Sequence, residues 1–220
     1  MIGAVLLAAA TQYLIFCSSC HGARLEGSTA APPLTNVSVG LVDFELRTGR
    51  MPALVPREQN DPSAPQLHPE QIASIEAYIA SRTSGDRAIP AAPRILAGVS
   101  ALRAGRSVYE ENCEQCHAAT GRGDGATAYH EVAPSLMESD PQTIVEAVRE
   151  GPNIMPKFGT GVIDDPQLAD LTGYVRYLQR NQYNAGGAAL ANWGPTAEGF
   201  FAWVLGLGAL IFFTRRIGEA

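Results

Sequence analysis

The chain has 220 residues with 22 acidic against 16 basic side chains, a formal charge of −6. An acidic balance carries no electrostatic footprint for nucleic acid, so no nucleic acid is expected as a partner. The length allows one large domain or two small ones.

Met1 to Phe16 is apolar and runs directly into Cys17, with no basic residue before Arg24. A signal peptide would carry a basic start, and cleavage near Ala8-Ala9-Ala10 would remove most of the helix leading to Cys17. Residues 3 to 16 are therefore expected to form the first helix of a domain, with the native start further upstream. Tyr13 stands four residues before Cys17 as Tyr109 stands four before Cys113, which supports a structural role.

Cys17-Ser-Ser-Cys20-His21 and Cys113-Glu-Gln-Cys116-His117 contain all four cysteines, leaving none for a structural disulfide. One helical turn places two thiols three apart on the same side, where both can form thioethers with the vinyl groups of a haem, and the next residue turns its imidazole to the iron. A zinc site needs two such pairs close together, whereas Cys20 and Cys113 are 93 positions apart. A thioredoxin-like redox pair needs a βαβ context that the sequence lacks. Each motif is thus expected to attach one haem c, through Cys17 and Cys20 with His21 on iron, and through Cys113 and Cys116 with His117 on iron. Haem c attachment takes place outside the cytoplasm. Each half is short of core, and a large apolar haem is expected to supply a packing centre.

The features recur in order. After the first motif come Pro33-Leu34, Thr48-Gly49-Arg50-Met51-Pro52 and a helical pattern near 69 to 80. After the second come Pro134-Ser135-Leu136, Gly151-Pro152-Asn153-Ile154-Met155-Pro156 and a pattern near 166 to 179. Ile72, Ile75, Tyr78 and Ile79 match Leu168, Leu171, Tyr174 and Val175 at identical spacing. Such self-similarity marks a duplication.

Met51 and Met155 are the expected second axial ligands, each in a Gly-containing loop before proline, where the backbone is irregular. Histidine ligation by His68 or His130 stays open, although His68 reads as a helix start. With His/Met ligation both irons are closed to substrate and poised at relatively high potential, which suits electron transfer. Pro33 and Pro134 are expected to offer a backbone carbonyl to the proximal histidine. Gly105 and Tyr109 share a helix face that can meet Tyr174, whereas Ala9 replaces that glycine in the first half.

Residues 199 to 214 carry no charge and precede Arg215-Arg216, a stretch of about 24 Å as a helix that reads as one transmembrane segment. No Lys or Arg occurs between Arg180 and Arg215, so the positive-inside rule places the tail in the cytoplasm and the haem domains outside. Lys157 is the single lysine among the 16 basic residues, so this chain cannot present a lysine ring for docking. The expected fold is all-α, with two tandem class I cytochrome c-like haem domains at 1–82 and 99–180. Linkers are expected at 83–98 and 181–198, and the membrane helix at 199–217.

On these motifs, and on Trp193-Gly-Pro-Thr-Ala-Glu-Gly-Phe200 before the anchor, the chain resembles the dihaem cytochrome c subunit of the actinobacterial-type cytochrome bcc complex, a quinol–cytochrome c reductase. The resemblance implies two haem c groups, with one domain acting as cytochrome c1 and the other as mobile cytochrome c. It also implies cytochrome b and Rieske iron-sulfur subunits as partners, and electrons passing on to a haem-copper terminal oxidase. The isolated chain would then catalyse nothing by itself. That family generally carries an upstream membrane or signal segment, which this sequence lacks. Three alternatives share parts of the pattern: a cytochrome subunit of a periplasmic dehydrogenase, a dihaem peroxidase and a structural assembly subunit. The peroxidase fits poorly, because it needs an open axial position and both halves offer a methionine.

Overall fold

A computed structural model describes residues 10–53, 61–95, 98–123, 132–180 and 195–218. Among them the chain is helical, with no strand. The helices are α1 (residues 10–16), α2 (Ser18–His21), α3 (Val39–Arg47), α4 (Pro69–Ala80), α5 (Val99–Asn112), α6 (Glu114–His117), α7 (Pro141–Glu150), α8 (Asp165–Arg180) and α9 (Pro195–Gly218).

Several helix starts are written in the sequence. The Ser38 hydroxyl accepts the Leu41 N–H at 3.0 Å to cap α3, and the Asp140 carboxylate accepts the Thr143 N–H at 2.7 Å to cap α7. At α8, Asp164 and Gln167 exchange backbone-to-side-chain hydrogen bonds of 2.8 and 2.9 Å, a reciprocal capping box. Pro69 and Pro141 stand at first helical positions, where a missing N–H costs nothing. α7 ends on Gly151 in the left-handed conformation, with φ 63°. A Cβ there would lie 2.6 Å from the Lys157 backbone nitrogen, so both conformation and space require glycine.

By packing, the residues form two compact units, one of Met1–Leu96 with Ser139–Thr172 and one of Ala97–Glu138 with Gly173–Ala220. The grouping cuts across chain order because α7, from the second repeat, packs on α3 of the first. In the first unit, Tyr13, Leu25, Val42, Leu46, Leu67, Ile72, Ile75, Tyr78 and Ile79 form one apolar cluster. The α4 stripe expected from spacing is buried, and in α8 Leu168, Leu171 and Val175 are buried likewise. In the second unit Gly105, Val108 and Tyr109 line the buried face of α5.

The segment after α4, expected as a linker, begins as an anchored strap. Thr83 is buried and donates its hydroxyl to the Val37 carbonyl at 2.6 Å, and Ser84 N–H reaches the Thr35 carbonyl at 2.8 Å. A Cβ on Gly85 would lie 2.4 Å from the Val37 oxygen. Most of the second expected linker lies outside the described residues, but its last residues are already helical, because α9 starts at Pro195. Residues 199–218 of α9 are long and apolar enough to cross a membrane, with mean hydropathy 1.6. The described part of the expected first helix, residues 10–16, is helical, and Ala9 lies outside the described residues.

Candidate functional site

In the first repeat, α1 delivers Tyr13 and then Cys17, and the chain tightens into the single turn of α2. The N–H groups of Cys20 and His21 both bond the Cys17 carbonyl, at 3.2 and 2.9 Å, which fixes the two thiols and the imidazole on consecutive steps of one turn. Gly22 follows with φ 79° and swings the backbone out of the helix. The Tyr13 hydroxyl donates to the Gly22 carbonyl at 2.8 Å, and the Tyr13 ring stacks on Tyr78 of α4 at 4.6 Å between centroids. Gly27 N–H returns to the His21 carbonyl at 2.8 Å, and Leu34 N–H to the Leu25 carbonyl at 2.8 Å.

The second repeat builds the same cradle 96 positions on. Cys116 and His117 N–H bond the Cys113 carbonyl at 3.1 and 2.9 Å, Gly123 N–H bonds the His117 carbonyl at 3.0 Å, and Leu136 N–H bonds the Gly121 carbonyl at 2.8 Å. The Tyr109 hydroxyl donates to the Ala118 carbonyl at 2.5 Å, and the ring meets Tyr174 at 5.5 Å, tilted by 56°. The left-handed positions recur as well: Gly22, Leu25 and Gly27 at φ 79°, 69° and 78°, and Ala118, Gly121 and Gly123 at 60°, 71° and 81°. At Gly27 and Gly123 an added Cβ would meet backbone atoms at 2.6 and 2.4 Å, so these turns demand glycine twice over.

Both motif histidines are held in one tautomer. His21 Nδ1 lies 2.9 Å from the Pro32 carbonyl and His117 Nδ1 lies 3.0 Å from the Pro134 carbonyl. A carbonyl only accepts, so Nδ1 carries the proton and Nε2 keeps its lone pair for a metal. The carbonyl in the first repeat belongs to Pro32, one residue before the expected Pro33. Matching Leu34 to Leu136, rather than one Pro-Leu to the other, would have found it. His117 is buried, and burial lowers its pKa against the opposing effect of the Pro134 hydrogen bond, so the neutral ligand form is favoured.

None of the four cysteines is paired in a disulfide. Burial, reinforced by the paired cysteine, pushes Cys17 up to about 11 and Cys113 up to about 12. Cys17 packs against the apolar cluster of the first unit, and a raised thiol is the opposite of the cation-flanked thiol of a redox pair, whose pKa is lowered. Among the described residues no group of three or more His, Cys, Asp and Glu is arranged to hold a bare metal ion. Paired thiols, a pre-set imidazole and an apolar surround therefore fit haem c.

Met51 packs on the apolar cluster that also receives Cys17. Its loop is pinned on both sides. Gly49, with φ 66°, accepts the Ser63 hydroxyl at 2.7 Å, Met51 N–H bonds the Glu45 carbonyl at 3.0 Å, and Gln66 Nε2 bonds the Pro52 carbonyl at 2.8 Å. Arg50 is buried with its guanidinium 4.7 Å above the Phe44 ring. Met155, partly buried, bonds through its N–H to the Pro152 carbonyl at 3.0 Å. Its loop is tied by Arg149, whose guanidinium donates to the carbonyls of Phe158 and Ile163 at 2.9 and 2.7 Å and to Asp165 at 2.7 Å. Sequence reading passed over Arg149, because a basic residue near a helix end ordinarily reads as solvated. His68 is exposed at the start of α4, with its N–H capped by Gln71 at 2.9 Å, which fits a capping role. His130 lies outside the described residues.

Known proteins place these features. The family described as cytochrome C oxidase, cbb3-type, subunit III matches residues 100–175. A cytochrome bc1 complex cytochrome c subunit from Mycobacterium leprae is 34% identical over 208 residues, spanning 92% of this chain and 71% of the relative. The subunit of the same name from Mycobacterium tuberculosis strain H37Rv is 33% identical over 92% of this chain and 73% of its own. That from Corynebacterium diphtheriae is 30% identical over 94% and 78%. A cytochrome c domain indicates haem c as the cofactor, and the names of these relatives favour the quinol-oxidising assignment over a dehydrogenase subunit. The chain belongs to the family of cytochrome bc1 complex cytochrome c subunits.

Proposed function

We propose that this chain holds two haem c groups and relays electrons from the cytochrome b and Rieske iron-sulfur subunits of a quinol-oxidising complex to a haem-copper terminal oxidase. The observation that carries the reading is the pair of matching cradles, in each of which a Cys-x-x-Cys-His turn presents a histidine with Nδ1 tied to a proline carbonyl. Bound there, haem c supplies one-electron iron chemistry at a potential set by its axial ligands and burial. Cys17 and Cys20 would anchor one haem and Cys113 and Cys116 the other, with His21 and Met51 as the iron ligands of the first and His117 and Met155 as those of the second. The proline carbonyls orient each imidazole and raise its basicity as a ligand. With both axial positions filled, the chain transfers electrons and performs no catalysis alone.

The haem domains follow the repeat, at 1–82 and 99–180. The C-terminal helix anchors the protein in the cell membrane, with Arg215-Arg216 on the cytoplasmic side and the haem domains on the other, in keeping with the positive-inside rule. The test is purification from native membranes in mild detergent, followed by haem counting and quinol addition. Two haems per chain, companion cytochrome b, Rieske and oxidase subunits, and haem reduction by quinol are expected. A single haem, or no reduction by quinol, would overturn the proposal.

A further inference from the structure

Where α3 meets α7 and α4, three carboxyl groups converge. Asp43 of α3 is 7% exposed and Glu146 of α7 is fully buried, while Glu76 of α4 is partly buried. Both glutamates pack their carboxyls against the Asp43 carboxyl. Glu146 accepts the Gln142 side-chain amide through Oε1, yet its Oε2 is buried without a hydrogen-bond partner, and so is Glu76 Oε1. An ionised carboxylate has no proton to give, so two orphaned oxygens facing a third carboxylate leave the set unsatisfied.

The charge count leads the same way. Among the described residues the cation facing the group is Arg47, which lies 3.5 Å from Asp43 through Nε and 3.0 Å from Asp140, the cap of α7, through Nη2. At the opposite end of α7, Glu150 takes the Ser38 hydroxyl at 2.5 Å and faces Lys157 at 3.5 Å. Three ionised carboxylates would thus share half a guanidinium in a dry interface, which like-charge repulsion and desolvation both oppose. Burial, with the nearby Asp43 adding to it, raises Glu76 to about 8 and Glu146 to about 9.

We propose that Asp43, Glu76 and Glu146 form a proton-holding latch between the two repeats, with Glu76 and Glu146 as neutral acids donating hydrogen bonds to an ionised Asp43. Protonated, the latch closes α3 against α7 and α4. As pH rises the protons leave to solvent, three negative charges face one another and the contact loosens. Toward the Glu150 end of α7 the chain leaves little room beside α3, since a Cβ on Gly40 would lie 2.5 Å from Glu150 Oε1 and 2.7 Å from Pro90 Cδ. The latch is independent of the electron-relay reading.

The sign follows from linkage. Both glutamates bind protons more tightly folded than unfolded, so their contribution is fully present below the ordinary carboxylate range and is lost as pH rises through about 8 to 9. The test uses the haem-loaded full chain in mild detergent. Infrared spectra at neutral pH should show un-ionised carboxylic acid that E76Q and E146Q each reduce, and the wild-type signal should vanish toward about pH 10. Hydrogen exchange in α3 and α7, corrected for intrinsic rates, should show an opening equilibrium rising at least about tenfold over the same range, and less than about twofold in E76Q/E146Q. Absence of a neutral-pH acid band altered by either variant, or an equal rise in the double variant, would overturn the proposal. If the variants fail to accumulate, a wild-type spectrum with no acid band at neutral pH overturns it alone.

Discussion

Arg47 joins the two repeats by placing its Nη2 3.0 Å from Asp140, the residue that caps α7. The same guanidinium faces Asp43 one turn back on α3, so one cation serves a helix cap and a buried carboxylate. The other end of the helix pair is closed by Ser38, the cap of α3, bonded to Glu150 at the end of α7. In each helix the capping residue thus touches the last turn of its neighbour.

Replacing Arg47 by alanine should therefore cost more than a surface ion pair. Asp43 would be left buried without its cation, and loss of one partner of a buried pair costs about 3 kcal/mol. Thermal unfolding of the haem-loaded protein should show a fall of several degrees, and a change within the error of an exposed substitution would refute the role given to Arg47.

Acid should act on the same contact through Asp140. Burial works against its charged form, but the Thr143 hydrogen bonds and Arg47 outweigh it and hold the carboxyl below the usual range. A depressed folded pKa gives stability that is present above the unfolded value and lost as pH falls through the folded one. Stability should drop below about pH 4, and Asp140→Asn should flatten that drop while lowering stability at neutral pH.

The tyrosine clasps offer a symmetric test. Tyr13→Phe and Tyr109→Phe each remove one hydroxyl bond to the residue after the proximal histidine and keep the ring contacts. Each should cost about 1 kcal/mol, and the two costs should be nearly additive, because the two hydroxyls share no hydrogen-bond partner. A strong loss at one site alone would mean that the cradles are not equivalent.

Gly123→Ala should block maturation of the second centre. The new Cβ would sit 2.4 Å from the Ala133 oxygen on a backbone with φ 81°, and neither can give way cheaply. Pyridine haemochrome analysis should find one haem per chain against the two proposed for the parent.

Met51→Ala and Met155→Ala test the axial assignment directly. Each should abolish about half of the sulfur-to-iron charge-transfer absorption and lower the potential of one haem, with the double variant losing all of it. An unchanged spectrum in either variant would point to a histidine in that position.

Sequence alone carried the cradle further than the packing around it. A Cys-x-x-Cys-His turn dictates its own geometry over a few residues, so the thiols, the imidazole and the tyrosine four residues earlier were legible, as was the Tyr109–Tyr174 contact. Pro32 was missed by one position because Pro32 and Pro33 are adjacent prolines, and the one that touches Leu34 was read as the match of Pro134, although Pro134 stands two before Leu136 as Pro32 stands two before Leu34. The carboxyl cluster was illegible for a different reason. Its members come from three helices far apart in the chain, and acidic residues ordinarily read as solvated. In α7 the buried Glu146 stands beside Ile144, Val145 and Val148, a pattern that makes sense only once α3 is known to cover it.

Lys157, the single lysine, has a side chain 60% exposed beside the Met155 loop. Among these 220 residues a reagent directed at side-chain amines has one address. Within these residues a cross-linker, dye or spin probe aimed at side-chain amines would therefore report from a single loop two residues from a proposed axial ligand.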